Sequence, residues 1–169
     1  MQGQRLIELR SFIEELPHYV SRFFGFFRLR PLSPREQDEV RRLLPSVEAG
    51  LFFDMQTEDQ RHCHDMARRV AVALPGDQVA VRAALLHDVG KRHHRIGVVG
   101  RSMATVLGHL GLAMPVTMRS YWDHAGIGAQ DLEAVGSDPF VVEFAAHHPG
   151  GPPPWATDPR WPILIDADV

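Results

Sequence analysis

Apolar stretches along this chain lack the alternation of a half-buried strand and are bounded instead by helix start and stop signals. Ser33-Pro34-Arg35-Glu36 predicts an N-terminus, with Ser33 as N-cap, Pro34 in the first turn and Glu36 closing a capping box. Pro45 ends that helix. Thr57-Glu58-Asp59-Gln60 has the form of a second capping box and opens a helix running to about Ala71, with acidic residues in its first turn. Pro75-Gly76 breaks it. Asp77 caps a helix to about Val89, where Gly90 suits a left-handed stop. Ser137-Asp138-Pro139 starts another, through Ala146, before the proline-rich run 149–154 forbids continuation. A last short helix spans Trp161 to Asp168, and weaker ones cover Gly100 to His109 and Ile127 to Val135. The fold expected is all-α: a single helical bundle over 33–169, with 1–32 as an N-terminal helical segment packing on its core.

That N-terminal segment carries Phe23-Phe24-Gly25-Phe26-Phe27 among Arg22, Arg28 and Arg30. Such a pattern suits a membrane-surface or partner-binding helix. The preferred reading is a helix that closes a small core with aromatic area, which a domain of this size needs. The chain has 169 residues, room for one compact domain. A net charge of -3 and a pI near 6.3 argue against a general nucleic-acid binder. Cys63 is the single cysteine, so no internal disulfide forms, and a reducing compartment, the cytoplasm, is expected. No run of about 18 apolar residues exists to span a membrane. The N-terminus lacks the basic-then-apolar order of a signal peptide.

Composition changes the picture at two points. Ten histidines are present, and Lys91 is the only lysine. His87-Asp88 follows the apolar stretch Val79 to Leu86, and a histidine and an aspartate at the end of a buried helix are costly unless paired or metal-bound. Taken alone they read equally well as a capping pair. They are joined by His62, His124, His147-His148, Asp166 and Asp168 on other predicted helices. Nitrogen and carboxylate donors without thiolates suit one or two divalent ions of Mn, Fe, Co, Ni, Zn or Mg. A structural zinc site is disfavoured, since such sites lean on cysteine. Donors drawn from separate helices place an ion at the middle of a bundle.

The order His62 … His87-Asp88 … Asp168 resembles the H…HD…D signature of the HD superfamily of metal-dependent phosphohydrolases. Arg61-His62-Cys63-His64-Asp65-Met66-Ala67 is similar to that family's first motif, and the alignment selects His62 over His64. Ala83 to Lys91 (AALLHDVGK) resembles the central motif. Tyr121 to Ala129 (YWDHAGIGA) resembles the histidine-then-IGA segment of HDIG variants, Phe144 to His148 their paired histidines, and Ile163 to Asp168 the closing segment. The resemblance covers about residues 57–168.

It implies that Asp88 bridges two ions, the first completed by His62, His87 and Asp168, the second by His124 and His147, with His148 optional. A metal-bound hydroxide would then attack a phosphate ester or anhydride, a nucleotide above all. Asp166 and Asp168 stand about 200° apart on a helix, so only one faces the site, and the resemblance selects Asp168. Lys91 is the expected catalytic contact to substrate phosphate, or else a solvated lysine. Arg92, His93, His94 and Arg95 form a basic cluster, read as a phosphate-steering rim with Arg92 and Arg95 touching substrate, or as a solvated loop. Cys63 reads as a buried thiol, His64 as a second-row or surface group, and His18 and His109 as structural.

Departures are visible. No Gly-Tyr-Pro follows the histidines, against cyclic-di-GMP as substrate, and His148-Pro149 replaces the Thr-Gly step of the diadenosine tetraphosphate branch. Asp168 lies one residue from the end of the sequence, so either the last helix is firmly packed, through Trp161, Ile163, Leu164 and Ile165, or the continuation usual in the family is absent. The alternative to an enzyme is a non-catalytic HD module that binds metal or nucleotide in a regulatory role.

Overall fold

The computed structural model describes residues 30–93 and 123–168, with isolated positions between them. These two stretches fall in one compact unit. The expectations for the Phe-rich segment, His18, His94, Arg95, His109 and almost all of the helix expected over 100–109 lie outside the described residues.

Among the described residues there are seven α-helices and no strand, in agreement with an all-α bundle. They are α1 (Pro34–Leu43), α2 (Ser46–Phe53), α3 (Thr57–Ala73), α4 (Gln78–Leu86), α5 (His124–Ala134), α6 (Pro139–His147) and α7 (Arg160–Ala167), with a 3-10 turn at Val89–His93 after α4. None of them is long and apolar enough to cross a membrane. α3 packs on α4 and α7, α4 also on α6, and α5 on α6 and the 3-10 turn. Val40, Phe52, Met66, Val70, Leu85, Leu86, Leu132, Val141, Phe144, Trp161 and Leu164 fill the space between them.

Local chemistry explains most boundaries. Ser33 and Glu36 form the expected capping box, the Glu36 backbone N–H donating to Ser33 Oγ at 3.4 Å and the Ser33 N–H to Glu36 Oε2 at 2.7 Å. Asp77 accepts from the Ala80 N–H and Asp138 from the Phe140 N–H, both at 2.9 Å. Pro45 ends α1 as expected, but it also opens α2, a helix with no side-chain cap and so no signal in the sequence.

Three expectations are corrected. Thr57 is the first residue of α3, with Gln56 at the cap position, and Gln60 turns back to donate to the Phe53 and Met55 carbonyls instead of closing a box. α4 ends at Leu86, sooner than Val89. Gly90 does not adopt a positive φ; among the described residues Gly76, Gly136 and Gly151 do, and Gly136, at φ +73°, is the one that directly follows a helix C-cap, Val135 of α5. Gly90 is needed for another reason: a Cβ there would lie 1.9 Å from the His124 carbonyl oxygen and 2.7 Å from the Gly128 nitrogen. The 3-10 turn therefore crosses α5 backbone to backbone, and that crossing sets His124 beside Asp88.

Two buried ionic staples hold the elements in place. Arg61 on α3 donates to both Glu36 oxygens on α1 at 2.8 and 2.9 Å and to the Arg30 and Pro31 carbonyls. Glu48 on α2, 1% exposed, accepts from Arg82 Nε on α4 at 3.0 Å and from Ser137 Oγ at 2.8 Å. Buried charges persist where they are paired in this way.

Candidate metal centre

The site is built from helix ends. His87, His148 and Asp168 are the C-cap residues of α4, α6 and α7, and Asp88 follows His87 directly. Each helix C-terminus carries partial negative charge from its last carbonyls, so three of them converging favour a cation. His62 is contributed by the second turn of α3.

His62, His87 and Asp88 form one group of donor atoms within 4.8 Å of one another, and His87, His148 and Asp168 form another that shares His87. His62 Nε2 is 2.8 Å from Asp168 Oδ1, His148 Nε2 is 3.3 Å from Asp168 Oδ2, and His87 Nε2 is 3.3 Å from Asp88 Oδ2. The His87 and His148 rings stand edge to face at 4.4 Å. Among the described residues, the side-chain atoms His62 Nε2, His87 Nε2, Asp88 Oδ1, His124 Nε2 and Asp168 Oδ1 are buried without meeting hydrogen-bond geometry. The 2.8 Å approach of His62 to Asp168 is an electrostatic contact, not an aligned donor and acceptor. Buried donor atoms without hydrogen-bond partners are expensive, and a cation is one way to satisfy such a group.

The surroundings set the protonation of these atoms. His87 Nδ1 lies 2.9 Å from the Ala84 carbonyl, which can only accept, so Nδ1 carries a proton and Nε2 faces the group. Burial pushes the Asp88 carboxyl upward, but Lys91, His87 and His124 outweigh it and hold the group well below the usual carboxylate range. Burial likewise opposes charge on Asp168, and His62, His87 and His148 override it, so this carboxyl is also held low. Burial works against a charged His87, and Asp88 beside it prevails, holding this imidazole high, so a proton on Nε2 competes there with any cation. His148 is pushed down to about 3, by burial first and by the neighbouring His87 second, which leaves its imidazole neutral. Burial raises the Cys63 thiol, whose Sγ is 3.9 Å from His87 Nδ1, so it is a packing group and not a nucleophile.

Asp168 is selected over Asp166: Asp166 is exposed, while Asp168 turns inward. Trp161, Leu164 and Ala167 anchor α7, and Arg69 Nε on α3 donates to the Ala167 carbonyl at 2.8 Å, tying down the residue before the ligand. Ile163 is only half-buried and Ile165 is 41% exposed, so the expectation that they anchor the helix is corrected.

The paired histidines exchange roles. His147, expected on a second ion, has its ring against Trp155 at 6.0 Å and Trp161 at 6.5 Å and joins neither donor group; His148, expected as optional, faces the site. The reason is the end of α6. His147 is its last helical residue, whereas His148 has extended backbone, which rotates its side chain to the other side. His124 Nε2 lies 3.4 Å from Asp88 Oδ1. Lys91 Nζ lies 2.5 Å from Asp88 Oδ2, because the 3-10 turn carries position 91 back over position 88.

Arg92, expected at the substrate, is held by carboxylates. It pairs with Asp54 at 3.1 Å and Asp131 at 3.1 Å, and His93 Nε2 also meets Asp131 at 2.7 Å, so the described part of the basic cluster is a structural staple between α2, the turn and α5. His64 is buried, with Nε2 3.8 Å from Glu39 and Nδ1 3.5 Å from Asp65 on the side away from the ligands. The Ala84 carbonyl and the Arg69 clasp were not foreseen. The first had a signal, since Ala84 is three residues before His87; the second joins residues 98 apart and had none.

Comparison of the chain with family models, with curated proteins and with solved structures returned no match.

Proposed function

We propose that this protein is a metal-dependent hydrolase of a phosphate ester or anhydride, of the nucleotide class, related to the HD superfamily. The observation that carries this reading is the gathering of His62, His87 and Asp88 in one group of donor atoms and of His87, His148 and Asp168 in a second that shares His87, with His62 Nε2, His87 Nε2, Asp88 Oδ1 and Asp168 Oδ1 buried and without hydrogen-bond partners among the described residues. The donor set fits a divalent ion such as Mn, Fe, Co, Ni, Zn or Mg, with His148 on the same face. A bound divalent ion supplies Lewis acidity toward a phosphoryl oxygen and lowers the pKa of water.

The chain's own residues supply the rest. Asp88 and Asp168, both held anionic, offset the ion's charge. The Ala84 carbonyl fixes the His87 ring, so the ligand does not rotate out of register. Lys91, 12% exposed at its side chain and held at the edge of Asp88, places one positive charge beside the donor group, where it attracts substrate phosphate.

The test is release of p-nitrophenol from bis-p-nitrophenyl phosphate by the purified chain with Mn(II), followed by a nucleotide panel scored for phosphate release. Hydrolysis that disappears with chelator and returns with metal is expected. Tight metal binding without hydrolysis of any member would instead favour the regulatory module.

A further inference from the structure

α3 meets Asp168 and its preceding peptide at two points. His62 Nε2 lies 2.8 Å from Asp168 Oδ1. Arg69 follows His62 by seven residues, two helical turns, so the two residues stand on one face of α3. Side chains on a helix lean toward its N-terminus, which carries the Arg69 side chain back toward the level of His62. Its Nε donates to the Ala167 carbonyl at 2.8 Å.

That carbonyl shares one planar peptide group with the Asp168 N–H. The N–H donates to the Ile165 carbonyl at 3.1 Å, so both polar ends of this peptide are held, one from within α7 and one from α3. A peptide pinned at both ends does not turn about the line joining its Cα atoms. Such pinning matters here because Asp168, at φ -87° and ψ 61°, has already left the helix, and the helical ladder no longer fixes it. Its carboxylate is shared between two histidines, His62 at Oδ1 and His148 Nε2 at 3.3 Å from Oδ2. A tilt of the peptide would move both oxygens together. We infer that Arg69 is a positioning residue for the donor group, aiming the Asp168 carboxylate through the Ala167–Asp168 peptide. The inference rests on the metal-dependent reading above and deepens it.

Packing alone does not do this work. Trp161, Leu164 and Ala167 bury one side of α7 and hold the helix as a body, but the orientation of its last peptide is left to hydrogen bonds. A guanidinium at a helix C-terminus also meets the partial negative charge of the last carbonyls. The contact therefore has two components, a directed N–H and a charge, and side-chain chemistry separates them. Glutamine carries its amide nitrogen as many bonds from Cα as arginine carries Nε, so it keeps the directed donor without the charge. Methionine has the same length and neither.

Equilibrium dialysis of the full chain against Mn(II) reads affinity without reference to activity. Arg69→Met should bind Mn(II) about tenfold or more weakly than the parent, the usual effect of losing an outer partner that orients a ligand. Arg69→Gln should recover most of that loss. Arg68→Met, which removes the same charge from the exposed residue before it, should bind as the parent does. If circular dichroism shows Arg69→Met unfolded without metal, Arg69→Ala, a strong helix former without the donor, carries the same expectation. Parent-like affinity in folded Arg69→Met or Arg69→Ala would overturn the inference and leave the hydrolase reading standing. Equal weakness in Arg69→Met and Arg69→Gln, or in Arg68→Met, would overturn it as well, because the directed bond would then carry nothing. A parent that binds no Mn(II), Zn(II) or Co(II) would remove the metal-dependent reading itself.

Discussion

Asp88 and Lys91 touch each other, yet their loss should produce different failures. Asp88 gives an oxygen to the donor group, so Asp88→Ala should lose bound metal and activity together. Lys91→Ala should keep its ion and its melting temperature while kcat/KM falls on the order of 10²–10³, the usual effect of removing one electrostatic contact to the transition state. Metal analysis beside steady-state kinetics separates the two. The adjacent histidines give a second contrast: His148→Ala should weaken metal binding by more than about tenfold, since even outer partners of ligands are worth 10–100-fold. His147→Ala should leave metal affinity unchanged and cost only packing around Trp161. Equal losses in a metal titration of the two variants would return His147 to the ligand set. Gly90 is the third residue-scale case. Its substitution by alanine drives a Cβ into the His124 carbonyl, and overpacking of this kind costs about 1–3 kcal/mol. Gly90→Ala should therefore lower the urea midpoint, whereas Gly126→Ala, with open space around its Cβ, should not.

At the scale of elements, the junction of α1 and α3 depends on one ion pair. The Arg61 side chain is 7% exposed and that of Glu36 is 17% exposed. Removing one member of a buried pair strands the other, at about 3–5 kcal/mol, so Arg61→Met should unfold at markedly lower urea than the parent. The same pair sets an acid limit. Hydrogen bonds from Arg61, and then from Ser33, hold the Glu36 carboxyl far below its ordinary value near 4.5. A carboxyl whose folded pKa is depressed contributes stability that is fully present above the unfolded pKa and declines as pH falls toward the folded one. Glu36→Gln should thus be less stable than the parent at pH 7. The gap between the two should narrow progressively below about pH 4.5, as urea midpoints at pH 7, 5 and 3 would show. A gap that stayed constant across that range would mean that the pair carries no such linkage.

For the molecule as a whole, the donor group ties together the N-terminal half of α3 and the C-termini of α4, α6 and α7. An ion bound there stabilises only the folded arrangement. At a free concentration 100 times its Kd it contributes about 2.7 kcal/mol. For a chain of this size that is on the order of 5–10 °C in Tm. Thermal melts with Mn(II) and with chelator should differ by that amount in the parent and coincide in Asp88→Ala. Identical melts in the parent would mean that the helix ends do not assemble around a metal.

The sequence by itself determined the helix caps at Ser33 and Asp77, the helix start at Ser137-Asp138-Pro139, and the all-helical class, and it singled out His62, His87, Asp88 and Asp168 as candidate donors, because these signals act over three or four residues or lie in short motifs. A capping oxygen reaches its own first turn, and an HD pair sits at the end of its own helix. Only the tertiary structure decided the rest. His148 turns toward His87 and Asp168 while His147 does not, because one extended backbone residue after α6 rotates the ring, which depends on where that helix stops against Trp161. Arg92 went to Asp54 and Asp131, partners 38 and 39 residues away, so a basic cluster that reads as a phosphate rim is partly a staple. Gly90 marked a close approach of two backbones and not a turn, a distinction that glycine alone does not reveal. Lys91 reached Asp88 because the chain tightened into a 3-10 turn there. Sequence spacing specifies which groups are neighbours along one helix; which oxygen of Asp88 meets which cation depends on how several helices end together.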